Sequence, residues 1–255
     1  MLAWRGSVAH GCYESKSRND DSVCDLDLMA IVVPPIDMYL GFDHWGSSGT
    51  KEVKVGPWDV VTYTLEKAMS MLAGGNPNIL PLLYLEPEMY VHLHPLGQRL
   101  IECRGMFAGR HVRNSFTGFA ISQMRNMAKV SFDGYEGQKR RELVERFGYD
   151  TKSAQHTIRL LRMALEYLQN GGTLNVMRQD AEELKAIKGG LWSRDRVETY
   201  AEKLLEDVDE AYYQSQLPNK PEKILINELL VNMLKHHFGI VGMEVDFGEV
   251  SADVL

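Results

Sequence analysis

Apolar and polar positions follow two rhythms along the chain, one extended and one helical. Residues 1–8 (MLAWRGSV) and 25–33 (DLDLMAIVV) predict two short strands; in the second, alternation through Asp25 and Asp27 passes into an apolar run that Pro34-Pro35 ends. A long polar loop separates them. Residues 51–64 (KEVKVGPWDVVTYT) predict a third extended stretch interrupted by Gly56-Pro57, and residues 65–75 (LEKAMSMLAGG) a helix closed by glycine. From Gly118 onward the pattern is mainly helical, over residues 118–130, 150–170, 194–214 and 222–238. The first hundred residues therefore mix α and β, and the second half is a helical bundle or cap.

The best-delimited helix starts at Asp150-Thr151, which supply an N-cap, and stops at Gly171-Gly172. Ala154, Ile158, Leu161, Leu165 and Leu168 form its apolar stripe. Lys152, His156 and Arg159, spaced by four and three, share another, cationic face. Taken alone, that face also fits a solvated helix surface carrying one histidine.

Composition narrows the class. The 255 residues are 44% hydrophobic and 25% charged, which excludes disorder and collagen-like structure, and no apolar run is long enough to span a membrane. The first thirty residues lack the basic and apolar regions of a signal peptide, and Cys12, Cys24 and Cys103 form no CxxC pair; a reducing, cytoplasmic setting without structural zinc is expected. Net charge is -7 but unevenly spread. Residues 1–98 hold 6 Lys and Arg against 12 Asp and Glu, residues 99–146 hold 10 against 5, and residues 147–255 hold 12 against 18. A basic strip between acidic flanks can serve as an anion-binding face, or can be ordinary helix surface charge.

The strongest local chemistry is Gly6-Ser7 at the end of the first strand, followed after a polar loop by Asp25-Leu26-Asp27 on the second. Residues two apart point to one side of a strand, so Asp25 and Asp27 present two carboxylates together while Leu26 and Leu28 turn toward the core. Paired carboxylates repel unless a cation lies between them, and hard oxygen ligands suit Mg²⁺ or Mn²⁺. Asp59, at the start of another extended stretch, is the candidate third carboxylate. Gly6 permits close backbone approach, and Ser7 offers a hydroxyl and an amide to a phosphate oxygen. An Asp-x-Asp is also common on exposed strands. His92 and His94 alternate as on a strand without a supporting ligand cluster and are assigned to surface or packing roles. Met124 and Met127 are assigned to core filling, and residues 74–78 (GGNPN) to a turn, since no Lys-Ser/Thr follows as in a phosphate loop.

The layout of GSVAHG, then CDLDL, then a later Asp resembles the DNA polymerase β-like nucleotidyltransferase superfamily. Within it, the stretches WDVVTYTLEKAMSMLAGGNPNILPLLY, FTGFAISQMRN, GYDTKSAQHTIRLLRMALEYLQNG and LPNKPEKILINELL resemble the nucleotidyltransferases associated with RNA repair, the RlaP family, over most of the chain. Two departures stand out: a 17-residue loop over residues 8–24, where relatives keep a shorter one, and Cys24 where a Ser commonly precedes the first Asp. With few residues before Gly6, a trimmed catalytic domain is expected.

The resemblance implies an α+β fold: a small mixed-sheet nucleotidyltransferase domain over residues 1–105 and a helical domain over residues 106–255 that completes the cleft. It implies that Asp25, Asp27 and Asp59 hold two divalent ions, Mg²⁺ or Mn²⁺, for phosphoryl transfer from an NTP. It implies nucleotide contacts from Gly6, Ser7, Lys152, His156 and Arg159, with Arg110, Arg113 and Arg125 as candidates for the acceptor backbone. The expected acceptor is the 3′ hydroxyl of an RNA end. The alternatives are NMP transfer to a protein or small molecule, and an antitoxin-like binding protein without turnover.

Overall fold

The computed structural model describes residues 1–13, 26–127 and 134–240. Five strands form one mixed sheet: β1 (Leu2–Trp4), β2 (Leu26–Val32), β3 (Thr50–Val55), β4 (Trp58–Thr64) and β5 (Tyr90–His92), in the order β3-β4-β2-β1-β5. The helices are α1 (Gly6–Ala9), α2 (Asp37–Leu40), α3 (Leu65–Ala73), α4 (Pro95–Glu102), α5 (Val112–Met127), α6 (Gly134–Phe147), α7 (Thr151–Gln169), α8 (Ala181–Lys188), α9 (Arg194–Gln214) and α10 (Lys223–His237). The α+β architecture with a helical part is as expected. No helix among the described residues is long and apolar enough to cross a membrane.

The central pair, β2 and β4, is parallel, and every other pairing is antiparallel. Alternation along β2 sends Asp27, Met29 and Ile31 to one face, so the main core lies on the aspartate's own face and not on that of Leu26 and Leu28 as the sequence pattern suggests. Met29 and Ile31 are buried in the main apolar core with Ala3 of β1, and Tyr63 of β4 packs against it. On the opposite face the rings of Trp4 and Trp58 lie 5.5 Å apart. Gly56 has φ +57°, a left-handed conformation that glycine adopts without strain, and with Pro57 it makes the β3–β4 turn within the predicted 51–64 stretch.

The first strand is shorter than its apolar pattern suggests. It ends at Trp4, and Gly6 turns the chain at φ +62° into α1 rather than extending it to residue 8. Helix α5 starts at Val112, before the predicted Gly118, and the predicted residues 128–130 lie outside the described residues.

The helical part is built around α7, which packs against α5, α6, α8 and α9. Its Asp150 cap is fully buried; the carboxylate accepts hydrogen bonds from the Ser153 amide at 3.1 Å and hydroxyl at 2.8 Å and pairs with Arg140. Gly171 and Gly172, both at positive φ, close the helix. Burial extends past the predicted stripe to Ser153, Gln155 and Thr157, because neighbours surround α7 on several sides. Thr157 meets that burial by donating to the Ser153 carbonyl at 2.9 Å. Phe107, Phe116 and Tyr167 join the same core, each large buried side chain contributing about 1.5–3 kcal/mol.

Candidate active site

Strand register assembles the site. In the parallel β2–β4 ladder Asp27 is the direct partner of Asp59, so two carboxylates from residues far apart in sequence stand side by side on one face. Both are about one-third exposed, 30% and 38% at the side chain. Asp25 lies outside the described residues, as do Cys24 and most of the 8–24 loop.

Arg5 answers the resulting negative charge. Its backbone amide donates to the Asp27 carbonyl at 3.0 Å, continuing the β1–β2 pairing beyond Trp4 and Leu28. Its guanidinium reaches Asp27 at 3.5 Å and Asp59 at 4.0 Å. One cationic side chain thus stands between two carboxylates that would otherwise repel. Sequence reasoning missed Arg5, whose role follows from the antiparallel register.

Gly6 follows directly. A Cβ there would lie 2.5 Å from Asp27 Oδ2, and the residue is already left-handed, so any side chain would collide with the carboxylate and strain the turn. Ser7 comes second in α1, with its carbonyl accepting from the Cys12 amide at 2.8 Å.

His10, at the end of α1, joins this region to the helical part. Its Nδ1 lies 3.0 Å from the Val176 carbonyl, which can only accept, so Nδ1 carries the proton; Nε2 then accepts from Arg159 at 2.6 Å. Burial, then the nearby Arg159 charge, hold its pKa well below the histidine range, so His10 is neutral. The Arg178 amide donates to the His10 carbonyl at 3.3 Å, fastening the α7–α8 loop to the same turn. Nothing local in GSVAHG signals a partner 149 residues away.

Lys152, His156 and Arg159 do share one face of α7. Lys152 is exposed, while His156 and Arg159 are half-buried by surface area. The His156 pKa is pushed well below the usual range by burial first and then by Arg159, Lys152, Arg140 and Lys188. Burial also lowers the Arg159 pKa to about 10, which leaves it charged at neutral pH. The cationic face therefore gains Lys188 from α8 and Arg140 from α6, the latter's charge partly offset by its pairing with buried Asp150. Such a concentration of positive field suits a polyanion.

Arg110 donates to Asn219 Oδ1 at 2.6 Å and stacks on Tyr212, and Arg113 pairs with Asp209 at 2.6 Å, so both hold α5 to α9 and the segment after it. Arg125 is exposed on α5. His94 caps α4 by accepting from the Leu96 amide, His92 is exposed, and Met127 is buried in the core with Met124 packed against it, as their assigned roles require.

A mixed sheet with aspartates beside each other on its central parallel strands, completed by helices, is the arrangement of polymerase β-like nucleotidyltransferases implied by the sequence motifs. The model of the RlaP family, described as the RNA repair pathway DNA polymerase beta family, matches residues 3–236, and the chain belongs to that family. This places it among polymerase β-like nucleotidyltransferases of RNA repair. No curated protein and no solved structure matches the chain.

Proposed function

We propose that the protein transfers a nucleoside monophosphate from an NTP to the 3′ hydroxyl of an RNA end and releases pyrophosphate. Residues 1–105 carry the chemistry, and residues 106–255 complete the nucleotide and acceptor cleft. The observation that carries this reading is the β2–β4 register, which sets Asp27 beside Asp59 against a glycine that leaves no room for a side chain.

Two adjacent, partly exposed carboxylates are a hard-oxygen donor set that fits Mg²⁺ or Mn²⁺, and Asp25, two residues before Asp27, would join them. When bound, such ions supply charge neutralisation on the phosphates and a lowered pKa at the acceptor hydroxyl. Asp27 and Asp59 would hold the ions, and Arg5 bridges the pair. Gly6 and Ser7 offer amide and hydroxyl donors to the triphosphate, while Lys152, His156 and Arg159, backed by Arg140 and Lys188, supply positive field and hydrogen bonds. His10 is a positioning residue: it keeps α1 in fixed relation to α7, so the two sets of phosphate contacts act together.

In the reaction the acceptor 3′ oxygen forms a bond to the α-phosphorus as the bond to the α–β bridging oxygen breaks in line. The bridging oxygen leaves with pyrophosphate, and the hydroxyl proton passes to Asp59 or to solvent. The acceptor backbone lies along the basic 99–146 segment. Arg125 meets it directly, whereas Arg110 and Arg113 exchange Asn219 and Asp209 for phosphate.

The test is incubation with each α-labelled NTP, Mg²⁺ or Mn²⁺ and RNA of defined 3′ ends. Label on lengthened RNA, lost in Asp27→Ala, is the expected result. Label on protein alone would replace RNA by a protein acceptor, and no label with any NTP would contradict enzymatic transfer.

A further inference from the structure

A groove of about 510 Å³ lies between the C-terminal end of α3, the turn after it and the outer face of α5. Its volume is within the range of small-molecule sites, about 300–1,000 Å³. Its walls include Met71, Asn76, Asn114, Gly118, Phe119 and Ser122, none of them charged. The walls are fixed to each other: Ser115 Oγ donates to the Gly74 carbonyl at 2.7 Å, and His111 Nε2 lies 3.0 Å from the Ala73 carbonyl.

The polar groups facing this space are side-chain amides and hydroxyls. Asn76 Oδ1 accepts from the Asn78 amide at 2.9 Å, and Asn114 Oδ1 from Arg113 at 3.0 Å. Each amide keeps its Nδ2 hydrogens and one oxygen lone pair, so the groove presents groups that donate and accept beside Phe119, which is 36% exposed. Arg125 follows Ser122 by three residues and Gly118 by seven on the same side of α5 and is exposed, placing a cation beside the neutral groove. A flat ring with hydrogen-bonding atoms on its edge, joined to an anionic backbone, matches all three features.

Gly118 lies inside α5 on the groove wall, and a Cβ there would meet nothing within 4 Å, so a larger side chain can be placed at this point without displacing a neighbour.

We propose that the groove receives one unpaired nucleobase of single-stranded RNA, stacked on Phe119, with its polar edge on the Asn76 and Asn114 amides and its neighbouring phosphate on Arg125. The inference rests on the RNA-acceptor reading above and adds to it a place where the acceptor body is held. Stacking tolerates any base, and side-chain amides, which both donate and accept, can meet the polar edge of each. Base-paired RNA cannot offer such a ring.

The test is binding of a fluorescent 12-nucleotide single-stranded RNA to the full chain, compared with the same RNA in a duplex. Gly118→Trp fills the groove and Phe119→Ala removes the stacking face; each is expected to weaken single-strand binding about ten-fold, leave duplex binding unchanged, and leave the salt dependence as in the wild type. Arg125→Gln is expected to lower the salt slope by about one phosphate. Melting curves show that the variants fold, and Gly118→Trp should melt no lower than the wild type. Wild-type affinity for single strands in both groove variants would overturn the groove while leaving the RNA-acceptor reading standing. Failure of the wild type to bind RNA would overturn both.

Discussion

The carboxylate pair of the sheet and the charge lattice beneath α7 solve electrostatic problems of opposite kind. On the central strands, Asp27 and Asp59 are set side by side by backbone register, are partly exposed, and are joined by one arginine at 3.5 and 4.0 Å. Beneath α7 the groups are dense and mutually paired: Arg178 bonds Glu166 at 2.6 Å and Asp180 at 2.8 Å, and Arg162 pairs with Asp180 and Glu183. Burial alone would raise the Asp180 pKa, but hydrogen bonds from Arg178 and Arg162 hold it below the usual carboxylate range. The difference teaches where function and stability reside. Partly exposed charges on the central strands can exchange partners for a substrate and its cations, whereas the lattice fixes the α7–α8 loop that grips His10.

The comparison breaks if either region behaves like the other. Asp27→Asn or Asp59→Asn should lower nucleotidyl transfer by at least about 10³-fold, the scale of several kcal/mol of transition-state stabilisation, with little change in melting temperature. Steady-state kinetics beside a melting curve checks this, and a large loss of stability would make the two carboxylates a structural pair. Arg178→Met should do the reverse. The side chain is 4% exposed, and its loss leaves Glu166 unpaired and Asp180 with Arg162 alone. Denaturant unfolding should show a loss of about 3 kcal/mol, the low end for a broken buried pair, since both carboxylates keep some solvent.

Two smaller effects sharpen the contrast at the junction. Gly6→Ala should cost about 1–2 kcal/mol from the left-handed backbone alone, and should weaken nucleotide binding because the added Cβ displaces the Asp27 carboxylate. Titrating NTP into the folded variant measures the second part. His10 and His156 are held neutral in the fold, so below about pH 6.5 the unfolded chain takes up protons that the folded chain refuses. Stability is therefore complete well above that pH and falls as pH drops, by about 1.4 kcal/mol per histidine at pH 5.5. His10→Gln, which can still accept from Arg159 and donate to Val176, should flatten this slope between pH 7 and 5 in unfolding measurements.

Much of this arrangement is legible in the chain. The apolar runs of β2 and β4 and the caps of α7 are local signals, and alternation and spacing place Asp27, Asp59 and the Lys152, His156 and Arg159 face on the right elements. What escapes is whatever depends on which element packs on which. Arg5 meets Asp27 only through antiparallel register, and His10 meets Arg159 across the molecule. Residues 1–8 read as one strand because the apolar pattern continues past Gly6, where the positive φ starts α1. Helices α4, α6 and α8 escape for a similar reason. The eight-residue α4 and α8 have little room for periodicity, and α6 (GYEGQKRRELVERF) carries few apolar positions, so tertiary packing rather than a local stripe sustains them.

The most direct test of the central claim is Mn²⁺ binding, followed by electron paramagnetic resonance in the presence of an NTP analogue that cannot be cleaved, in the wild type and in Asp59→Asn. The account predicts nucleotide-dependent loss of the free Mn²⁺ signal in the wild type and a much weaker loss in the folded variant. Equal binding by both proteins would contradict it, because the adjacent carboxylates of β2 and β4 would then not be the metal site.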